Sequence, residues 1–493
     1  MNYQDLFRVT LPETMLEIAA LVVLIADLGI FRKATVKLRV IVAALLGVVG
    51  CGAALWALAA SAGNGFRFDG VLILAQGGYS EAAQAGILVL TALTLLFLIC
   101  SSFTKHVGEY VAVVLMAAVG ALLIVAAQDL LIIFVGLELL SLGLYILTAF
   151  AKSSGKSAEA AIKYYLFGGM SAAFLLFGFS YFYGLSGSTN LIKIHEVIAA
   201  SGPSPLFYIA WILVIAGLGF KVAAVPFHLW APDAYEGAPP SSAAFIASAS
   251  KVASFTLLLS FSLSWLKPGL GSGAWPQLTI VLLVIAAASM ILGNLAALAQ
   301  SSVRRLLAFS AIAHAGYILL GIAYIPGDVS AALTGQNAVL YYVLTYALTT
   351  IGAFGVVAVV ERATGSDRID AFLGLHERSP LLAAILLVMF LSLAGIPPLV
   401  GFWAKFNLFA AVLGVSAGPV PFALVTLALA MSAVSLYYYL QVLKRAYVMP
   451  AVDHTPFRAH PVTMTVLLVV AISVVGMGCF PALLQNWIAS FYF

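Results

Sequence analysis

Apolar residues occur along the chain in long runs that are separated by short polar segments. Most runs match the roughly 20 residues that an α-helix needs to cross the hydrocarbon core of a bilayer. The runs are continuous and do not alternate with polar residues, which disfavours a β-barrel. This pattern predicts an all-α polytopic membrane protein with about fourteen transmembrane helices. The predicted spans are residues 12–31, 40–61, 83–102, 110–127, 129–149, 161–184, 206–228, 241–265, 277–299, 305–325, 337–360, 381–412, 421–447 and 463–490.

The composition excludes a soluble protein. Of the 493 residues, 63% are hydrophobic and 9% are charged, whereas a soluble domain carries roughly 25% charged residues. Cys51, Cys100 and Cys479 are isolated from one another, and the sequence has neither iron–sulfur nor zinc-ligand spacing. It also has no glycine-rich nucleotide-binding motif. We therefore predict that this chain holds no cofactor and no metal.

The basic residues are distributed unevenly between the two sides of the predicted bundle. With fourteen spans, the loops on one side hold sixteen of the 23 lysines and arginines. The loops on the other side, together with the N-terminus, hold only Arg8, Arg67, Lys193 and Lys267. Because basic residues accumulate on the cytoplasmic side, both termini are predicted to lie outside. The formal net charge of +4 does not indicate nucleic-acid binding, because the basic residues are distributed as the orientation in the membrane requires.

Among the charged residues within predicted spans, four lie farthest from the span ends, namely Glu138, Lys221, Lys251 and Lys405. A charge at the bilayer centre costs roughly 2.5–3.5 kcal/mol on insertion scales, so its presence implies a use. The alternative is static ion pairing between helices, but one glutamate cannot pair with three lysines. Burial disfavours an ammonium group and a nearby carboxylate favours it, so such a set can take up and release protons. We predict a proton relay whose members form a row at similar depth in the membrane.

Prolines interrupt two of the predicted spans. Pro226 lies five residues after Lys221, and Pro397 and Pro398 lie shortly before Lys405. Proline breaks a helix, and a break at membrane depth is tolerated where it lines a water-filled cavity. Paired broken helices in two halves of a chain are typical of inverted-repeat transporters. The alternative is that each proline only kinks its helix for packing.

Histidines and arginines offer further candidates. His228 follows the first break and His314 lies inside the tenth predicted span, so each could shuttle protons or simply bond to a backbone carbonyl. Their spacing does not fit a metal site. Arg304 and Arg305 are expected to anchor a helix at the inner headgroups. The loop 230–240, with its acidic residues, is either a plain turn or a collector of protons.

Several motifs resemble the antiporter-like membrane subunits of bacterial respiratory complex I, and the N-type most closely. The similar segments are L-E-L-L-S-L around Glu138, P-F-H-L-W-A-P-D beginning at Pro226, S-A-S-K-V-A around Lys251, the run S-S-V-R-R-L-L-A-F-S-A-I-A-H-A-G-Y from Ser301, and G-F-W-A-K-F ending at Phe406. Their order and spacing extend the resemblance over essentially the whole chain. The N-type is favoured because Lys405 stands where the M-type has glutamate.

The resemblance implies a division of the chain and a role for each charged group. It implies a three-helix N-terminal segment (1–108), two inverted five-helix repeats (109–265 and 277–447) and a C-terminal helix (463–493). Glu138 and Lys221 would form a switching pair. Lys251 would connect the two repeats, and Lys405 would serve the far half-channel. His228 and His314 would complete the proton relay.

The resemblance also implies an activity and partners. The chain would be a proton-translocating subunit of NADH:quinone oxidoreductase in the bacterial inner membrane, with periplasmic termini and no redox chemistry of its own. NADH, FMN, iron–sulfur clusters and quinone would be bound by partner subunits. Its neighbours would be the M-type subunit, small membrane subunits and lipids. Two alternatives remain, a subunit of an Mrp-type sodium/proton antiporter and a non-conducting scaffold.

Overall fold

The computed structural model describes residues 3–61, 63, 65–68, 71–75, 77–99, 103–266, 276–325, 329–415, 418–451, 455–456 and 459–491. Cys100, Lys267 and, among the sixteen basic residues, Arg458 lie outside the described residues. Most of the described chain is α-helical, which confirms the predicted fold class. Twelve of the described helices are long and apolar enough to cross a membrane.

The helices that lead up to the first interruption begin the bundle. They are α1 (Tyr3–Val9), α2 (Leu11–Ile25), α3 (Val36–Ala60), α4 (Tyr79–Leu98), α5 (Val107–Ala126), α6 (Leu130–Thr148), α7 (Gly155–Ser186), α8 (Leu191–Ser201) and α9 (Pro205–Val222). Short helices and further spans follow in chain order. They are α10 (Trp230–Gly237), α11 (Pro240–Ala247), α12 (Ala249–Leu266), α13 (Pro276–Leu298), α14 (Val303–Ala323), α15 (Val329–Thr364), α16 (Leu375–Arg378), α17 (Pro380–Ala394), α18 (Val400–Val415), α19 (Pro419–Tyr447), α20 (Pro461–Cys479) and α21 (Pro481–Ala489).

The number of fourteen spans stays a prediction. Helix α2 has 15 residues and continues into a π-helical turn, Ala26–Ile30. Helices α17 and α18 have 15 and 16 residues, so each is shorter than the roughly 20 residues of a span. If α2 with its turn makes one crossing and α17 with α18 makes another, they add two crossings to the twelve long helices.

A β-hairpin that the sequence did not predict closes one end of the N-terminal helices. Its strands, Gly65–Phe68 and Val71–Ala75, pair in antiparallel fashion with an irregularity after Phe66. The side-chain amide of Asn190 donates to the carbonyl oxygen of Leu72 at 2.6 Å. The strands are too short for their alternation to stand out beside long apolar runs.

Helix α6 is pressed against α5 along a glycine-lined seam. A Cβ atom added at Gly120 would lie 2.6 Å from the backbone nitrogen of Leu140, and one added at Gly143 would lie 2.8 Å from the Cβ of Ala117. Small residues allow backbones to approach this closely in membrane bundles. The seam therefore fixes the rotation of α6, which carries Glu138.

Both predicted helix interruptions are confirmed. Helix α9 ends at Val222, four residues before Pro226, and α17 ends at Ala394, four residues before Pro398. Proline lacks the N–H that the carbonyl four residues back would accept, and its ring clashes with that carbonyl. The Val225–Pro226 and Pro397–Pro398 peptide bonds are cis.

The end of α9 is a Schellman motif. The N–H of Ala223 donates to the carbonyl oxygen of Phe220 at 3.0 Å, and the N–H of Ala224 donates to that of Gly219 at 2.8 Å. Ala223 takes the left-handed conformation with φ of 57°, which this motif requires and which glycine adopts more readily.

The end of α17 repeats this hydrogen-bond pattern. The N–H of Gly395 donates to the carbonyl oxygen of Ser392 at 2.9 Å, and the N–H of Ile396 donates to that of Leu391 at 3.0 Å. Gly395 has φ of 88°. The motif satisfies the carbonyls of the preceding turn and leaves the last two carbonyls of each helix without a backbone donor.

The segment after α9 is also joined to a distant helix. The backbone N–H of Val225 donates to the hydroxyl of Ser289 on α13 at 2.9 Å. Trp230, at the start of α10, donates its indole N–H to the carbonyl oxygen of Phe220 at 2.8 Å and stacks on Tyr164 of α7. The interruption is therefore held in one arrangement by contacts on several sides.

Candidate proton-relay site

The structure places the three buried lysines at the interrupted helices. Lys221 is in the last turn of α9, Lys251 is on α12 and Lys405 is on α18. Their exposed fractions are 8%, 1% and 6%. Glu138 is half-buried on α6. These are the four charged residues that the sequence predicted as members of the relay.

Lys221 is bound to a serine near Glu138. Its ammonium group donates to the hydroxyl of Ser141, and that hydroxyl donates to the carbonyl oxygen of Leu137. Lys221 and Glu138 interact electrostatically, but these two described residues form no ion pair in this structure. The lysine also lies 5.3 Å from the ring centroid of Phe220. The switching pair that the resemblance implies is therefore open here.

Lys251 caps the first interrupted helix. Its Nζ atom donates to the carbonyl oxygen of Val222, the last residue of α9, at 2.7 Å. The ammonium group lies 5.5 Å from the ring centroid of Trp230. A helix C-terminus carries partial negative charge and favours a cation, so the Val222 carbonyl offsets part of the cost of burying this ammonium group.

Lys405 caps the second interrupted helix. Its Nζ atom donates to the carbonyl oxygens of Ala394 at 2.9 Å and Leu393 at 3.2 Å, and to the hydroxyl of Ser432 at 2.7 Å. A Cβ atom added at Gly395 would lie 3.2 Å from this Nζ. Glycine at position 395 therefore allows the left-handed turn, and its lack of a side chain leaves room for the ammonium group of Lys405.

His314 lies beside Lys405 in a cluster of aromatic side chains. Its Nδ1 atom is 2.8 Å from the hydroxyl oxygen of Tyr342. The ring of Tyr317 contacts both groups, with its centroid 5.4 Å from Lys405 Nζ and 5.7 Å from the His314 ring. A cavity of about 10 Å³ borders His314, and Tyr346, which also lines it, has a buried hydroxyl without a hydrogen bond. Such a space is about the size of one water molecule.

His228 is placed differently from the other predicted members. It lies in the segment between α9 and α10, is 8% exposed and has a buried Nδ1 atom without a hydrogen bond. The cavity of about 90 Å³ beside Pro226 is lined mostly by apolar side chains, including Phe167, Phe174 and Phe227. The water-filled cavity expected at this break is therefore replaced by an apolar one, because phenylalanines from α7 close around it.

A larger cavity opens beyond Lys405. Its volume is about 800 Å³, and α15, α18 and α21 line it. Asn407, two residues after Lys405, contributes to the lining, as do Asn337 and Tyr341. The Oδ1 atom of Asn337 and the hydroxyl of Tyr341 are buried without a protein partner. Its lining is mixed polar and apolar, and these unpartnered polar atoms could bind water.

Arg304 does not anchor its helix at headgroups, and that expectation was wrong. The side chain is 4% exposed. It donates to the carbonyl oxygens of Tyr235, at 2.9 Å, and Ala238, and both oxygens of Glu361 are 3.1 Å away. The guanidinium can be buried because carbonyls at the end of α10 and a carboxylate on α15 accept its hydrogen bonds.

The acidic residues of α10 belong to the same cluster of ion pairs. Asp233 is 2.6 Å from Arg305 and 2.9 Å from Lys163, and Glu236 is 3.1 Å from Arg305. Burial raises the pKa of Asp233, but hydrogen bonds from Lys163 and Arg305 outweigh this and hold the pKa below its ordinary value. The segment expected to be a loop is therefore largely helical, and its acidic residues tie it to α7 and α14. We call the ion pairs of Asp233 and Glu236 with Lys156, Lys163 and Arg305 the basic-end cluster.

The sequence did not single out several residues that contact the lysines. Ser141, Ser432, Trp230 and Tyr317 each touch one of the three ammonium groups. Only Ser141 carried a local signal, because it follows Glu138 by one helical turn within an otherwise apolar run. In the described residues, no group of three or more His, Cys, Asp or Glu side chains could hold a metal ion.

Membrane-buried lysines seated on the ends of interrupted helices define an antiporter-like class of membrane protein. A family model described as "NADH:quinone oxidoreductase/Mrp antiporter, TM" matches residues 127–432, which include Glu138 and all three lysines. The chain belongs to this family.

Relatives refine the place of the chain within the family. "NADH-quinone oxidoreductase subunit N 2" of Acidobacterium capsulatum is 49% identical over 502 aligned residues, and the match covers 99% of each chain. "NADH-quinone oxidoreductase subunit N" of Nitrosomonas europaea is 34% identical, with 97% and 96% covered. The resemblance to the N-type is therefore confirmed.

Solved structures agree with this assignment. A chain of respiratory complex I from Thermus thermophilus with bound aureothin is 34% identical, with a TM-score of 0.77, and the match covers 96% of this chain and 98% of that one. A chain of the Mrp complex from Dietzia sp. DQ12-45-1b has a TM-score of 0.80 at 20% identity, with 98% and 97% covered. At that identity the second likeness concerns the fold alone.

Proposed function

We propose that the chain is a proton-translocating membrane-arm subunit of a bacterial NADH:quinone oxidoreductase. The observation that carries the proposal is the seating of Lys251 and Lys405 on the carbonyl ends of two interrupted helices. Quinone reduction elsewhere in the complex would drive protonation changes at these groups. The chain itself carries out no redox chemistry, and NADH, FMN, iron–sulfur clusters and quinone belong to partner subunits.

The relay runs from Glu138 to Lys405. Glu138 and Lys221 form its first step, and Lys221 directly precedes Val222, whose carbonyl holds Lys251. At the far end, His314 and Lys405 both contact Tyr317. We assign the interval between Lys251 and His314 to bridging water, because histidine can act as a proton shuttle. His228 is a further member at the first break.

The second interrupted helix provides the vertical exit. The cavity of about 800 Å³ is lined by Asn407 and by residues farther along α18, up to Val415. The basic-end cluster lies on the side where lysine and arginine accumulate, which we assign to the cytoplasm. With this orientation both termini are periplasmic, and the cavity opens toward the periplasm.

A neighbouring membrane subunit covers Glu138. This residue shares one stripe of α6 with Leu131, Val135, Leu142 and Ile146, which are 49–59% exposed. A charged group facing lipid at that position is costly, so a protein surface is the favourable cover. We propose small membrane subunits at one end of the chain and an M-type subunit at the other, with lipids filling the remaining perimeter.

The chain is divided as the resemblance implies. Residues 1–108 would form the N-terminal segment, 109–265 and 277–447 the two inverted repeats, and 463–493 the C-terminal helix. Two observations support the two repeats. The helices α9 and α17 end in the same hydrogen-bond pattern, and each end is followed four residues later by a proline.

Purification from native membranes tests the function. A tagged form of the chain should co-purify with hydrophilic subunits that oxidise NADH, and sealed vesicles should acidify on their periplasmic side when NADH and quinone are supplied. Co-purification with small membrane subunits alone, and proton movement driven by a sodium gradient, would instead support the Mrp-type antiporter. The identities of 34–49% to relatives named subunit N favour the first outcome.

A further inference from the structure

The two interrupted helices share one arrangement of carbonyl groups. Counting back from the left-handed residue, each Schellman motif satisfies the third and fourth carbonyls before it and leaves the last two open. In α9 the final open carbonyl belongs to Val222, and in α17 the open pair belongs to Leu393 and Ala394. These are the carbonyls that receive the ammonium groups of Lys251 and Lys405.

The prolines stand at the positions that would otherwise fill these carbonyls. In a continuous helix, the carbonyl of residue i accepts from the N–H of residue i+4. The donor for Val222 would come from residue 226, and the donors for Leu393 and Ala394 from residues 397 and 398. All three of those residues are prolines, which have no N–H. The match holds for every lysine–carbonyl bond at both breaks.

We propose that Pro226, Pro397 and Pro398 are positioning residues that keep open carbonyl sites for the ammonium groups of Lys251 and Lys405. This inference rests on the proposed function and adds a role for the breaks. Each break ends a half-helix in carbonyl groups whose partial negative charge attracts a protonated lysine. When the lysine loses a proton, its Nζ atom has one N–H donor fewer and no charge, so its hydrogen bonds to the open carbonyls weaken. The prolines prevent the backbone from closing the site during that time.

The two sites differ in how readily the backbone would close them. At the first, the left-handed residue is Ala223, which prefers the right-handed helical region. At the second it is Gly395, which adopts the left-handed region without strain. An N–H supplied at residue 226 would therefore extend α9 more readily than N–H groups supplied at 397 and 398 would extend α17.

The experiment replaces Pro226 with alanine in the assembled complex. We expect α9 to continue through residue 226 in a cryo-EM structure, with Lys251 Nζ more than about 4 Å from Val222, beyond hydrogen-bond reach. Assembly should be unchanged, because the helix gains a backbone bond. Proton pumping should fall about tenfold or more, the ratio expected when one hydrogen bond to a charged group is lost.

Moving the proline by one residue distinguishes the proposed role, keeping the Val222 carbonyl open, from a role in kinking the helix. The double variant Pro226→Ala, Phe227→Pro keeps a proline in the segment but supplies an N–H for Val222. If the open carbonyl matters, the double variant should pump as poorly as Pro226→Ala. If the double variant pumps at the wild-type rate while Pro226→Ala does not, the kink alone matters and the inference is overturned. It is also overturned if Pro226→Ala leaves Lys251 on Val222 or leaves pumping unchanged.

A lysine variant distinguishes failure of the inference from failure of the function. Lys251→Met keeps the apolar stem and removes the ammonium group. Lost pumping in Lys251→Met together with normal pumping in Pro226→Ala would refute only the role of the proline. Normal pumping in both variants would refute the proposed relay itself. At the second break, Pro397→Ala with Pro398→Ala should give a smaller loss than Pro226→Ala, because Gly395 holds the turn.

Discussion

The ammonium group of Lys405 is hydrogen-bonded at 2.9 Å to the carbonyl oxygen of Ala394, although the two residues belong to the two halves of one interrupted helix. The second break is therefore bridged by a side chain from its own continuation. At the first break the bridging lysine, Lys251, comes from a different helix, α12. A change of charge at Lys405 would alter the contact between the two halves of one interrupted helix, α17 and α18. A change of charge at Lys251 would alter the contact between two separate helices, α9 and α12.

Replacing Lys221 with alanine should abolish most proton pumping and spare assembly. Glu138 would lose the ammonium group with which it interacts electrostatically, so the first step of the relay would be missing while the helix packing stays the same. Coupled NADH:quinone activity and acidification of sealed vesicles measure the effect in assembled complex. Lys193→Ala, at an exposed position on α8, is the control and should behave as wild type. Wild-type pumping by Lys221→Ala would refute the relay.

Replacing Ser141 with alanine should slow pumping about tenfold, because Lys221 would lose its acceptor and pair with Glu138 instead. Ser141→Thr keeps the hydroxyl and should restore most of the rate. Ser171→Ala is a matched control, since Ser171 is also buried and donates to a backbone carbonyl, that of Gly217. Equal losses in the alanine and threonine variants would show that the site needs only the volume of serine.

Filling the cavity beyond Lys405 should block proton exit without unfolding the chain. Ala411 lines this cavity, and Ala411→Phe would occupy part of its volume. Proton release should slow several-fold while the amount of assembled complex stays the same. Leu413→Phe adds bulk on the same helix at a position that does not line the cavity, and it should have little effect. If the two variants pump equally well, the cavity is not the exit.

The basic-end cluster should make stability depend on pH in the acid range. Because the pKa of Asp233 is below its ordinary value in the folded state, its contribution is present at neutral pH. It is lost as the pH falls below about 4, through the lowered pKa. Asp233→Asn should unfold more readily than wild type at pH 7, by at most about 1 kcal/mol for a partly exposed pair. Thermal unfolding in detergent should show this difference shrinking at pH 3.

Features set by local chemistry were predictable from the sequence. The breaks at Pro226 and Pro398 follow from the missing N–H of proline, and the structure has both. The buried lysines stood out because a charge within an apolar run is costly. The fold class followed from the lengths of the apolar runs.

Features set by contacts between distant segments were not predictable. Ser141 and Lys221 are 80 residues apart in the chain, and Lys405 meets Ser432 across two helices. Arg304 was expected at the membrane surface because nothing in its own segment shows that carbonyls from α10 surround it. The apolar cavity at Pro226 likewise depends on phenylalanines of α7.

The bond between the N–H of Val225 and the hydroxyl of Ser289 ties the first break to α13. A change in the backbone after α9 must either pull on α13 or release this tether. The two halves of the chain thus share a mechanical link that needs no moving charge. Through this hydrogen bond, a movement of the backbone after α9 would displace α13 without the transfer of any proton.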